Sequence, residues 1–307
     1  MDIGTTQKNV IIIGGGPAGL AASIWCSDLG ISHLLLEQEL RTGGQLHKIF
    51  QPIPNYPGIL TIDGASFAET LAEQAKSLGG TLRTHAPAAT IDGTAMEVRL
   101  ATGEKYAPKA IILATGVRRR RLGLPGEADL SGVLESGSKQ AAETKGARVA
   151  IVGGGDAAFE NALILAKYAS EVTLIHHSSR FRSRAEFTEP VSRDPKIRML
   201  KDSVVKEIVS ENGQVRGLLL ERNGAAERID VDFLLVRIGV VPNSELVKDL
   251  AELDAKNYVV IDAHCETTLR NVFAIGDVAT PISPTISTAV GQAATAVKVI
   301  KERFSRS

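Results

Sequence analysis

The chain carries one local device twice, and that repetition restricts its fold more than any other feature. From Asn9 it reads NVIIIGGGPAGLAA, a β-branched run followed by Gly14, Gly16 and Gly19 in GxGxxG spacing and then a helix-forming stretch. From Arg148 it reads RVAIVGGGDAAFENA, with Gly153, Gly155 and Ala158 in GxGxxA spacing at an offset of 153 − 14 = 139 residues. Each copy predicts a strand, a sharp turn and a helix. The glycines let the backbone turn tightly and approach a pyrophosphate, which then rests on the free N–H groups opening the helix. Independent turns have no reason to recur at matched spacing, so the chain is read as two α/β dinucleotide-binding units. Its 307 residues suffice for two domains with separate cores.

The residues beyond each loop distinguish the copies. The apolar run HLLLEQ ends at Glu37 and Gln38, with Glu37 lying 37 − 14 = 23 residues past the first glycine, where an acid can accept hydrogen bonds from an adenosine ribose. Adding 139 to Glu37 gives His176, at the end of VTLIHH. A carboxylate would repel a ribose 2′-phosphate, whereas His176, His177 and Arg182 could receive one. Three more strand-to-glycine turns extend the pattern: KAIILATG ending in Gly116, DFLLVRIG ending in Gly239, and NVFAIGDVAT with Gly276 and Asp277.

Composition excludes other classes. With 35 basic and 35 acidic residues, nothing points to nucleic acid or an anionic membrane as partner. No uninterrupted apolar run is long enough to span a bilayer, and MDIGTTQKNV lacks the regions of a signal peptide, so a cytoplasmic protein is expected. Cys26 and Cys265 lie far apart, in neither CxxC nor metal-ligand spacing, so neither a disulfide scaffold nor a metal site is expected.

Together IIIGGGPAGLAA, GGQL, NYPG, ATG, VGGGDAA, IGVVPN and FAIGDV resemble, in this order and over nearly the whole chain, the low-molecular-weight thioredoxin reductases and their relatives. The resemblance implies two Rossmann-like domains, the second inserted in the first: an FAD domain of residues 1–116 and 246–307, and an NAD(P) domain of residues 117–245. LGLPGE and VVPNSE would be the two hinge-like crossings. It implies FAD contacts from Gly14, Gly16, Pro17 and Ala18 at the pyrophosphate, from Glu37 with Gln38 at the adenosine, and from Pro87 beside the adenine. Gly44, Gln45, Leu46 and Asn55 would line the path to the isoalloxazine, with the turns Ala114, Thr115, Gly116 and Gly276, Asp277 close to the cofactor. Gln292 and Ala293, at a helix N-terminus, would sit by the flavin's pyrimidine end. The nicotinamide cofactor, NADPH with NADH possible, would meet Gly153, Gly155, Asp156, Ala157, His176, His177, Arg182, Ile238 and Gly239. A homodimer is also implied.

Two departures matter. Thioredoxin reductases carry CxxCD ahead of the second glycine loop, and those positions hold Ser136, Gly137, Ser138, Lys139 and Gln140 here. A hydroxyl and an amine cannot shuttle two electrons as a dithiol does. The similar ferredoxin–NADP reductases of this architecture also lack the pair, although they continue into an extension bearing an aromatic, where this sequence ends at Ser307. Where the family reads HRRxxxR, this chain reads HHSSRFR, leaving His176 and Arg182 in place and substituting both central arginines.

The expectation is an NAD(P)H-dependent FAD oxidoreductase that passes electrons directly to a separate acceptor, such as a small ferredoxin- or flavodoxin-like carrier, a quinone or oxygen. No acid, base or nucleophile is expected among its residues. The opposed readings are a slow NAD(P)H oxidase or a ferredoxin-accepting reductase whose nicotinamide site has decayed, and a flavin-bound sensor or scaffold with negligible turnover. Locally, Arg118 to Arg121 read either as a dock for an acidic carrier or as a solvated face, and His47 as a flavin neighbour or a loop residue. Cys26 reads as core, Cys265 as exposed, and residues 64–80 as a packing helix.

Overall fold

The computed structural model describes residues 8–50, 52–60, 63–280 and 282–306. Met1 to Gln7, on which most of the signal-peptide reading fell, and Ser307 lie outside the described residues. The chain divides into two compact units, one running to Arg118 and resuming at Val241, the other Arg119–Val240.

In the first unit the strands Val272–Ala274, Ala110–Leu113, Val10–Ile13, His33–Leu36 and Leu82–Arg83 lie side by side in that order, every pair parallel. The central strand is buried along its length, as a parallel strand covered on both faces must be. Its period of two sorts the core. Val10 and Ile12 face a cluster with Leu20, Ala22 and Cys26 of the helix Pro17–Asp28, Phe67 and Leu71 of the helix Gly64–Ser77, and Ala296 and Val297 of the helix Ile286–Arg306. Ile11 and Ile13 face Val98, Leu100 and Tyr106 on the other side, which belong to an antiparallel sheet of Ala88–Asp92, Glu97–Leu100 and Lys105–Tyr106. The expected helix at residues 64–80 spans Gly64–Ser77, capped by Asp63, whose carboxylate accepts the Ser66 N–H at 2.8 Å.

The second unit repeats this layering. Its parallel sheet runs Ile197–Leu200, Glu171–Ile175, Arg148–Val152, Phe233–Val236, Val133–Leu134. Val149 and Ile151 face the helix Asp156–Ala166, while Ala150 and Val152 face an antiparallel sheet of Ser203–Glu211, Gln214–Arg222 and Ala225–Asp230. The two hairpin turns of that sheet are Asn212-Gly213 and Asn223-Gly224, all four residues at positive φ, the conformation that matches strand twist and that Asn-Gly tolerates. The crossing segments Val117–Arg119 and Val240–Pro242 pair as a two-stranded ribbon. Among the described residues no helix is long and apolar enough to cross a membrane.

Candidate functional site

In the first unit four loops meet beyond the C-terminal ends of the parallel strands, where open α/β sheets bind ligands. Gly14 sits at φ +107°, and an added Cβ would overlap the Ala114 carbonyl, so this loop and the Ala114–Gly116 turn touch backbone to backbone. The Gly43 N–H donates to the Gly15 carbonyl at 2.7 Å, and Gly44 lies against Gly16, where an added Cβ would approach its Cα to 3.2 Å. Gly276, at φ +72°, packs on the Ala18 methyl. At Gly16 an added Cβ would meet nothing within 4 Å, so open space faces the loop where Pro17 and Ala18 begin the helix. The first amides of a helix have no carbonyl one turn earlier to donate to. A niche lined by backbone donors fits a diphosphate.

The groups around the niche differ in role. Glu37 is buried; one carboxylate oxygen accepts the Gly15 N–H at 2.6 Å and the other the Glu39 N–H at 2.9 Å. It therefore braces the glycine loop. Gln38 and Asn55 are exposed, and Pro87 is half-buried, its carbonyl accepting the Ala101 N–H at 3.0 Å. The Gln45 side chain donates to the Val117 carbonyl at 2.6 Å. Thr115 and Asn243 bond reciprocally, hydroxyl to carbonyl at 2.6 Å and amide to carbonyl at 2.7 Å, fixing the turn before Gly116. Asp277 has no hydrogen-bond partner among the described residues, and burial raises its pKa. An unpartnered, half-buried acceptor suits a ligand that brings hydroxyl donors, as a ribityl chain does.

Two expectations here are revised, and for His47 the loop reading is the one the structure fits. The C-terminal helix starts at Ile286, so Gln292 lies inside it. Its Oε1 instead accepts the Gly276 N–H at 2.7 Å and its Nε2 donates to Thr280 at 2.9 Å, holding the turn that carries Asp277. Leu46 and Ala293 are core residues at 1 % and 0 % exposure, with no surface to offer a cofactor. His47 turns back on its own loop, its Nε2 bonding the Thr42 carbonyl at 2.8 Å with the ring packed over Gly43.

The second unit shows the same construction with different chemistry. Gly153, at φ +156°, lies against the Arg237 carbonyl, with Ile238 and Gly239 following, and Gly155 again faces open space. His176 packs over Gly154, as Glu37 packs over Gly15, which is the same register since 15 + 139 = 154. The His176 ring is buried, bonded to the Arg180 carbonyl at 3.2 Å and the Ser178 hydroxyl at 3.0 Å. Burial first, then the neighbouring His177, lowers its pKa. With its pKa lowered and its ring turned inward, His176 is a weaker partner for a 2′-phosphate than an exposed cation would be. His177 and Arg182 are exposed, and the Arg182 N–H donates to the Gly154 carbonyl at 2.8 Å, anchoring that segment to the loop. Arg180 is a further exposed cation of the same HHSSRFR stretch.

At the helix start Ala157 is exposed, while Asp156 is already engaged. Arg184 pairs with its carboxylate at 2.6 Å and Ser183 donates to it at 3.1 Å. The Ser136–Lys139 turn holds no thiol: the hydroxyls of Ser136 and Ser138 lie 3.3 Å apart, and an added Cβ on Gly137 would overlap the Asn161 side chain. Both cysteines sit in the first unit's core, Cys26 at 0 % and Cys265 at 4 % exposure, which corrects the expected exposure of Cys265. Burial pushes their thiols up, to about 12 and about 11 respectively.

Residues 8–293 match the family model for pyridine nucleotide-disulphide oxidoreductases. The chain is 31% identical to a thioredoxin reductase of Bacillus subtilis over 95% of its own length and 93% of that protein. It is also 31% identical, over 97% of both chains, to a 34.2 kDa protein of the rubredoxin operon of Clostridium pasteurianum. Among solved structures, the thioredoxin reductase of Lactococcus lactis superposes with a TM-score of 0.85 at 28% identity, covering 98% of this chain and 100% of that one.

Proposed function

The chain belongs to the pyridine nucleotide-disulphide oxidoreductase family and is an NAD(P)H-dependent flavoprotein oxidoreductase of thioredoxin reductase-like build; from that premise we propose that it delivers electrons to a separate acceptor without a protein dithiol. Members of this family bind FAD and use NADPH. The observation carrying the proposal is chemical. Ser136 and Lys139 occupy the dithiol positions, and the chain's two cysteines are buried thiols held protonated. A thiolate is the species that attacks a disulfide, so neither cysteine can substitute.

Bound FAD supplies a centre that accepts two electrons together and can release them singly. The first unit's loops hold it: backbone amides around Gly16 and Ala18 meet the diphosphate, Glu37 the ribose, and Asp277 the hydroxyl-bearing linker. In the second unit the loop at Gly153 and Gly155 takes the nicotinamide dinucleotide, with His177 and Arg182 beside a 2′-phosphate. This favours NADPH over NADH by a modest margin, because one permanent cation remains at the family's positions where three stand in its relatives' HRRxxxR pattern. The acceptor is a small electron-carrier protein, a quinone or oxygen, and the protein works as a homodimer in the cytoplasm.

Rapid mixing of the FAD-loaded protein with NADPH or NADH tests this reading. Fast loss of the oxidised flavin absorbance, followed by recovery on adding an electron-carrier acceptor, is expected. No bleaching with either nucleotide would identify a flavin-bound sensor instead.

A further inference from the structure

Where the second unit's parallel sheet ends, two arginines converge on one backbone oxygen. Arg237 follows the strand Phe233–Val236; its Nη1 donates to the Val236 carbonyl at 2.7 Å and its Nη2 to the Glu135 carbonyl at 3.1 Å. Arg119 donates from its Nη1 to that same Glu135 carbonyl. Neither guanidinium forms an ion pair with a carboxylate among the described residues, and the Glu135 charge acts on Arg119 only from a distance. Other arginines of the chain show the contrast: Arg118 pairs with Glu245 at 2.5 Å, Arg148 with Asp232 at 3.2 Å and Arg184 with Asp156 at 2.6 Å.

This arrangement is costly as it stands. A carbonyl accepts at most about two donors, and each guanidinium carries about five N–H groups, so most of the two forks is unused. Both side chains are partly buried, and like charges are held together. Burial lowers the pKa of both, and the Arg119 charge adds to the effect on Arg237, which falls to about 9. Half-buried cations normally sit beside an anion.

Their place in the sheet says which kind of ligand would supply it. The strand order reverses between Arg148–Val152 and Phe233–Val236, the position at which open parallel sheets bind their ligands. The Arg237 carbonyl touches the glycine loop at Gly153. His177 and Arg182 follow the strand Glu171–Ile175, on the opposite side of that loop. The two arginines therefore flank the crevice at the end remote from the adenosine 2′-phosphate position, beside the Ser136–Lys139 turn.

We propose that Arg119 and Arg237 form a second oxyanion site in this unit, receiving a phosphate or carboxylate group at the end of the crevice away from His177 and Arg182. Two sources share that chemistry: the nicotinamide-side phosphate of the dinucleotide, or an acidic group on the oxidising substrate. Only the choice between them rests on the dinucleotide reading; the site itself does not.

Calorimetric titration of the FAD-loaded, full-length protein with inorganic pyrophosphate tests the site directly. Saturable binding is expected, weakened about tenfold or more in Arg119→Gln and in Arg237→Gln, as loss of a charge-assisted contact requires, and partly restored in Arg237→Lys. Repeating the titration with saturating NADH separates the sources, because NADH has no 2′-phosphate: displacement assigns the site to the dinucleotide, and undiminished binding assigns it to a separate acidic substrate. NADH binding is followed independently by flavin fluorescence, so a protein that binds pyrophosphate and ignores NADH keeps the anion site and loses the dinucleotide reading. No saturable binding in the wild type, or wild-type affinity in both glutamine variants, overturns the proposal.

Discussion

At Gly14 a side chain has nowhere to go, since the backbone is at positive φ and the Ala114 carbonyl occupies the Cβ position. Gly14→Val should therefore force the two turns apart and yield protein lacking FAD, measured as flavin absorbance per chain; full occupancy would show that these turns do not hold the cofactor. Arg182 makes the matching case in the other unit. It is exposed, its backbone is tied to Gly154, and its charge needs no assistance from the neutral His176. Arg182→Ala should lower kcat/KM for NADPH by roughly tenfold to a hundredfold, the worth of about 1.5–3 kcal/mol for one charge-assisted contact, with NADH unaffected. An equal loss for both nucleotides would remove Arg182 from the 2′-phosphate. Backbone geometry is legible in the sequence where it dictates the residue, as at the positive-φ glycines Gly14 and Gly153. Partners distant in sequence are not: Asp156 goes to Arg184, Gln292 to the Gly276 amide, and Cys265, in the polar stretch DAHCETT, adopts φ +63° and turns into the core.

Elements are tied together by polar contacts as well as by apolar faces. His33, on the second strand, bonds Ser23 of the first helix through Nε2 at 2.8 Å, while its Nδ1 lies 3.0 Å from the Ile31 carbonyl. A carbonyl only accepts, so Nδ1 carries the proton and the neutral ring takes the Ser23 hydroxyl at Nε2. Burial lowers the His33 pKa below its ordinary 6.5, and burial likewise lowers that of His176. With folded pKa values depressed, the unfolded chain binds protons more readily. The stability is then present above about pH 6.5 and is lost as pH falls toward the folded values, by about 1.4 kcal/mol per histidine for each pH unit in that window. Melting temperature should drop as pH is lowered from 7 through this range, and His33→Gln should flatten the decline; an unchanged slope would place the transition elsewhere. The element pattern itself was legible, because a run such as VIII before GxGxxG specifies strand, turn and helix together. The antiparallel sheets were not read from the sequence: their strands, for instance SVVKEIVSE, mix both periodicities, and pairing register depends on contacts that local spacing does not contain.

On the scale of the molecule, two units of one construction hold different chemistry at the same register. A carboxylate stands over Gly15 and a neutral imidazole over Gly154, which suits one niche to a ribose and relieves the other of the charge that would repel a 2′-phosphate. The family's architecture is thus intact, and the departures lie at the turn Ser136–Lys139 and at His177 and Ser178 of the HHSSRFR stretch. Replacing both cysteines in Cys26→Ala/Cys265→Ala should cost some core stability, about 1–3 kcal/mol for the buried atoms removed, and leave NADPH-driven acceptor reduction near the wild-type rate. The measurement that bears most directly on the central claim is NADPH oxidation followed side by side with oxidised thioredoxin, a small aromatic disulfide and a one-electron carrier protein as acceptors. The account predicts turnover with the carrier, unchanged in the cysteine-free variant, and only background rates with both disulfides; rapid disulfide reduction that disappears in the cysteine-free variant would contradict it.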